Sequence, residues 1–128
     1  MAYHYSNVDA LDGSSLVGSH QCVAIVQVYA HAPVTSKWKQ GVQVRGQNSL
    51  RKGTAIATFE NGKYPNKAYG NHAALYVSQD LKGIWVMDQW GGDPNKPTIS
   101  KRLLGFKGKA GAEYKDPSNN GDAMYVIE

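Results

Sequence analysis

Ser19-His20-Gln21-Cys22-Val23-Ala24-Ile25-Val26-Gln27-Val28-Tyr29-Ala30-His31 is the stretch on which the fold turns. Val23, Val26 and Ala30 recur at helical spacing, and Ile25 and Tyr29 widen the stripe. Ser19 is a capping residue type, and Pro33 stops a helix. The spacing therefore predicts a helix over 22–31, buried on more than one side. These residues are also β-rich, so periodicity alone leaves a buried strand open; the cap and Pro33 favour the helix.

Outward from this helix the pattern changes in both directions. Residues 1–18 read as an irregular lead-in, punctuated by Asp12-Gly13 and Gly18. Residues 34–52 are mixed, and Trp38 and Val42-Gln43-Val44 fit a loop or a short helix. Residues 53–59 read as a strand closed by Glu60-Asn61-Gly62-Lys63, where Asn-Gly signals a tight turn. Residues 72–78 and 84–90 read as two more strands, joined as a hairpin through 79–83. Gly91-Gly92-Asp93-Pro94 breaks the chain, and 98–104 form a further strand. Residues 105–122, rich in Gly, Lys, Asn and Pro, read as a mobile loop, and 123–127 as a closing strand. A helix followed by a run of strands is an α+β antiparallel sheet with the helix packed on it.

The chain has 128 residues, enough for one domain over 1–128 with one core. It is 41% hydrophobic and 19% charged, which is globular. No apolar run approaches the ~20 residues of a membrane span. Met1-Ala2-Tyr3-His4-Tyr5-Ser6-Asn7 lacks a basic cluster followed by an apolar stretch, so synthesis in the cytoplasm without a signal peptide is expected. The net charge of +4 is uneven. Residues 1–36 carry −2, 37–67 carry +6 and 68–128 carry zero. The basic stretch suits an anionic polymer, but no nucleic-acid recognition pattern accompanies it, so no nucleic-acid partner is expected.

A single cysteine excludes an internal disulfide and a multi-cysteine zinc site. Cys22 falls in the first turn of the expected helix, third after Ser19. Unpaired amides and the helix dipole there favour a thiolate and can hold an oxyanion. A small buried hydrophobe is the alternative. His72 starts a strand beside Ala73 and Ala74, which leave room for the ring. It is a base for the thiol or a structural histidine. Pairing register decides its neighbour. An even sum of paired residue numbers puts Asp88 on its face, and an odd sum puts Gln89 there. Asp88 would stabilise a charged imidazole and is the favoured partner. His20 and Gln21 are candidates to line the same cleft, and Trp90 to wall it. No HExxH-type pair exists, and neither a metal nor a cofactor is expected.

The order Cys at a helix start, His at a strand start, acid on the next strand carries a resemblance. Ser19-His20-Gln21-Cys22-Val23 resembles the Gln-Cys-Val element of CHAP and NlpC-type cysteine peptidases. Gly70-Asn71-His72-Ala73-Ala74-Leu75-Tyr76-Val77 is similar to their His strand, and Lys52-Gly53-Thr54 to the strand before it. The whole chain resembles the small BPSL-type bacterial family within this papain-like group. The resemblance implies a papain-like domain and hydrolysis of amide bonds in peptidoglycan stem peptides. It implies Cys22 as nucleophile, His72 as base and acid, and Asp88 in the third position, where CHAP enzymes more often have Glu. It implies an antibacterial effector exported by type VI secretion to act in a target cell's periplasm, with a cognate immunity protein plugging the cleft. Gln21 or His20 would supply a second oxyanion donor. Acyl transfer on the same fold, or a non-catalytic binding module, are the rival expectations.

Overall fold

The computed structural model describes residues 2–128 and has an α+β architecture. Among these residues there is one α-helix, α1 (Cys22–Tyr29), and no helix long and apolar enough to cross a membrane. The strands are β1 (Gln40–Gln43), β2 (Ala55–Thr58), β3 (Ala73–Gln79), β4 (Gly83–Asp88), β5 (Ser100–Gly105), β6 (Lys109–Ala110), β7 (Glu113–Tyr114) and β8 (Met124–Ile127). Six of them form an antiparallel sheet in the order β1-β8-β2-β3-β4-β5. The closing strand β8 is thus interior, between β1 and β2.

Alternation along the strands gives each face its own core. Ala55, Ala57, Ala73, Leu75, Val77, Met87 and Ile127 meet Ile25 and Val26 of α1 on one face. Ile56, Ala74, Tyr76, Ile84, Val86, Met124 and Val126 gather on the other, with Val44 and Leu104. Ala24, Ile25 and Val26 are consecutive and all buried, so α1 is enclosed on more than one side as its sequence requires.

The helix starts later than its cap residue type suggests. Gln21 is the N-cap, and Ser19 accepts a long 3.4 Å bond from the Gln21 N–H. His20 takes a left-handed φ of 70°, which turns the chain sharply into α1 and puts Cys22 at the first helical position. The helix also stops two residues early. His31 is left-handed at φ 60°, and the Ala32 N–H returns to Val26 O, closing the end before Pro33 acts.

The β3–β4 hairpin contains one irregularity. Near the turn Gln79 pairs with Ile84 and Ser78 with Trp85, an odd-sum register; beyond a bulge at Val77, Tyr76 pairs with Val86 and Leu75 with Met87, an even-sum register. The Asn61-Gly62 turn forms as expected, with both residues at positive φ and Glu60 bridged to Lys63. Residues 40–43, within the stretch read as mixed, form an edge strand because β8 arrives from the far end of the chain to pair with them. Residues 105–122, read as an irregular mobile loop, hold the β6–β7 hairpin and short 3-10 turns. Buried Asn120 ties them together: its Nδ2 donates to Gly108 O and Lys115 O, and its Oδ1 accepts from the Lys107 and Asp122 amides.

The lead-in is built in as well. Val8 and Leu11 are buried, and Tyr5 N–H donates to Gly53 O. Gly53 has φ +89°, and a Cβ on it would lie 1.9 Å from Tyr5 O. Gly53→Ala is therefore expected to cost at least ~2 kcal/mol, combining left-handed strain with the backbone clash. A urea-unfolding midpoint equal to wild type would contradict this account of the lead-in.

Candidate active site

The end of β4 and the start of β3 lie side by side, and α1 begins against them. The even-sum part of the hairpin register sets Asp88 on the same side as His72. His72 Nε2 lies 2.8 Å from Asp88 Oδ2, with both side chains buried. Asp88 is fully buried and has two further partners: Lys96 Nζ at 2.7 Å on Oδ1, and Arg102 Nε at 2.9 Å on Oδ2. Arg102 also reaches Asn119 Oδ1 at 2.7 Å, and its Nη2 lies 3.4 Å from His72 Nε2. An ionised carboxylate only accepts, so Nε2 is assigned as the protonated nitrogen, donating to Asp88, and the longer Arg102 Nη2 approach is then a contact between two donors. Nδ1 is then the nitrogen left for the thiol.

Cys22 is half-buried, and its Sγ lies 3.7 Å from Tyr64 Oη. Burial pushes the Cys22 thiol up, but hydrogen bonding and charge from His72, then hydrogen bonds from Tyr64 and the Ala73 backbone, outweigh it and lower it below its ordinary value. Burial pulls His72 down, and hydrogen bonds to Asp88 and Cys22 with both their charges reverse this, raising it to about 9. Burial opposes the Asp88 carboxylate, yet His72, Arg102 and Lys96 hold it well below the usual carboxylate range. Tyr64 is pushed above the usual phenol range by burial and by the neighbouring Cys22, so it stays a neutral donor. These directions favour a thiolate–imidazolium pair backed by a carboxylate.

A cleft of about 570 Å³ exposes this group, lined among others by Gln21, Cys22, Tyr64, His72, Trp90 and Arg102. A larger cleft of about 870 Å³ adjoins it through Lys67, Ala68 and Tyr69 but contains neither Cys22 nor His72. Chemistry therefore assigns the site to the smaller one. Trp90 forms part of its wall, with Lys96 Nζ 4.7 Å and Arg102 Cζ 4.9 Å from its ring centre. Two sequence candidates lie elsewhere. His20 is exposed on the turn before α1, packed on Gly91, and is not among the lining residues. Gln89 is fully buried and hydrogen-bonds Val17 and Gln21, not the imidazole. No group of three or more His, Cys, Asp or Glu among the described residues is arranged to hold a metal.

Tyr64, Lys96 and Arg102 were not singled out by sequence. Tyr64 follows the Asn61-Gly62 turn and packs at a tilt against Trp38, ring centres 4.9 Å apart, which brings its hydroxyl to Cys22. Lys96 sits in the β4–β5 connection, and Arg102 faces Val86 across the β4–β5 ladder. Only tertiary pairing makes these positions meaningful.

The chain matches the family described as Domesticated amidase effector 2 (Dae2) over residues 1–127. A Salmonella typhi protein named "Type VI secretion amidase effector 2 protein" is 44% identical over 133 residues, covering 100% of both chains. An Ixodes scapularis protein named "Domesticated amidase effector 2" is 35% identical over 116 residues, 88% of this chain and 73% of that one. The solved structure of "Type 6 secretion amidase effector 2 (Tae2)" matches with a TM-score of 0.90 and 44% identity, covering 98% of this chain and 94% of that one.

The electrostatics give a pH expectation. Iodoacetamide should alkylate Cys22 with a midpoint below that of free cysteine, about 8.5. His72→Ala removes the larger lowering causes and leaves burial, so its midpoint should move above that value. Any turnover that uses the imidazolium should fall as pH rises through about 9, where His72 loses its proton. A wild-type midpoint at or above that of free cysteine would count against the ion pair.

Proposed function

The chain belongs to the domesticated amidase effector 2 family, and from that premise we propose that it is a thiol amidase acting on peptidoglycan stem peptides. The observation that carries this reading is a cysteine at the first position of a helix, beside a histidine whose other nitrogen is on a buried carboxylate. We read the scaffold as papain-like, of the NlpC and CHAP type, with one domain over 1–128. The succession of helix-borne Cys22, strand-start His72 and next-strand Asp88 on an antiparallel sheet supports that reading.

In the proposed reaction the Cys22 thiolate attacks a peptide carbonyl, forming a C–S bond and moving the carbonyl pair onto oxygen. The oxyanion is held by the Cys22 N–H at the open end of α1. A second donor comes from the Tyr64 hydroxyl or the Gln21 side chain, both on the cleft. His72 gives its proton to the departing amine as the tetrahedral intermediate collapses. It then takes a proton from water, which attacks the thioester and frees the new carboxylate. Asp88 does not exchange a proton; it fixes the ring and its charge.

All three relatives have "amidase" in their names, whereas type VI secretion is in two of them. The chemistry is thus the better supported half of the reading. Delivery by type VI secretion rests on the two names that print it, and we propose with it action in a target cell's periplasm and an immunity protein that covers the cleft. The surplus positive charge over 37–67 suits an anionic wall.

Incubation with purified peptidoglycan, analysed by mass spectrometry, should give new amine and carboxylate ends in stem peptides. Cys22→Ala should lower this by at least ~1,000-fold. Absent cleavage, or equal cleavage by the variant, would overturn the proposal. Added amines that capture the acyl group in place of water would point to a transferase.

A further inference from the structure

Gln89 is fully buried, and all of its amide is used. Oε1 accepts the Val17 N–H at 2.9 Å, and Nε2 donates to Val17 O at 3.0 Å and Gln21 O at 2.8 Å. Val17 and Gln21 are the two ends of the turn that delivers α1. Within it the His20 N–H donates to Val17 O at 3.0 Å. Gly91 lies against the same turn, where a Cβ would sit 3.1 Å from His20 Cβ. The pocket asks for one acceptor and two donors with no charge, which only a carboxamide supplies.

We infer that Gln89 is a positioning residue: by holding the Gln21 carbonyl it fixes the Gln21–Cys22 peptide plane and aims the Cys22 N–H at the oxyanion. This rests on the thiol-amidase reading above. A trans peptide is planar, with its C=O and N–H pointing opposite ways, so anchoring one orients the other. The Gln21 carbonyl is anchored twice, by Gln89 and by the Ala24 N–H at 3.1 Å. Adjacent residues of one chain segment thus serve the two halves of the site. Asp88 sets the histidine, and Gln89 sets the amide of the nucleophile.

Two reagents at Cys22 separate positioning from general structural support. Iodoacetamide reacts by displacing iodide and makes no oxyanion. N-acetyl-alaninal reacts by C–S bond formation: the thiolate pair forms the new bond and the carbonyl pair moves to oxygen, leaving an oxyanion beside the His72 imidazolium, so the adduct needs the oxyanion donors. With the aldehyde carbon labelled with ¹³C, NMR gives the affinity. In Gln89→Met we expect aldehyde affinity to fall about 10- to 100-fold while the alkylation rate stays within about threefold of wild type. Equal falls in both, or an unchanged aldehyde affinity, would overturn the inference. If Gln89→Met does not fold by circular dichroism, Gln89→Asn makes the same comparison, a neutral amide one methylene short of Gln21. Aldehyde capture needs no hydrolysis. A wild type that captures the aldehyde but cleaves no stem peptide would refute the amidase reading while the comparison still decides Gln89. A wild type that captures no aldehyde would overturn the inference itself.

Discussion

Asp88 is a carboxylate with no exposed surface, and much of the surrounding structure exists to keep it charged. The effective cost of burying an ion in a protein is several kcal/mol. Three partners offset it: Lys96, Arg102 and His72, each bond being of the charge-assisted kind worth roughly 1.5–3 kcal/mol. Losing one partner would leave the remainder close to that cost. Each partner comes from a different structural commitment. Arg102 depends on the β4–β5 ladder, Lys96 on the connection folding back so that its Nζ also meets Ser100 Oγ, and His72 on the β3–β4 register.

The same carboxylate links the site to the C-terminal third of the chain. Arg102 is braced by Asn119, and Ser118 Oγ donates to Asn71 O beside the histidine. Asn120 gathers the hairpin and turns that carry these residues. Residues 105–122, low in apolar content, are therefore organised by buried polar bonds in place of a hydrophobic core of their own. Asp122 adds a tie to Arg45, whose guanidinium lies 4.0 Å over the Phe106 ring.

What was legible in the sequence was what is local. The α1 stripe, the β3–β4 hairpin and the Asn61-Gly62 turn each contain their own signal within a few residues. The pairing of β1 with β8 was not legible, since Gln40 and Ile127 lie 87 positions apart and neither segment announces the other. The helix start at Cys22 is legible, but its cap is not: Ser19 is a good cap by type, while the left-handed His20 makes Gln21 the N-cap. At the candidate site, Cys22, His72 and Asp88 carry chemical type and can be named from sequence. Tyr64, Lys96 and Arg102 are common residues made important by burial and partners that only folding creates. Gln89, the alternative neighbour of the imidazole by sequence, has its contacts with the turn before α1.

The bulge at Val77 gives the hairpin a counting rule. Read from the turn alone, the register is odd and would bring Gln89 to the histidine; one extra residue in β3 converts it to the register that brings Asp88. The segment between His72 and Asp88 is thus a fixed-length ruler, in which losing one residue would exchange an acid for an amide at the imidazole. Loops outside that ruler, such as the exposed 46–48 stretch, carry no such parity. Within a family that varies in length, indels should be tolerated there and be scarce in the hairpin, whatever happens to the side chains along it.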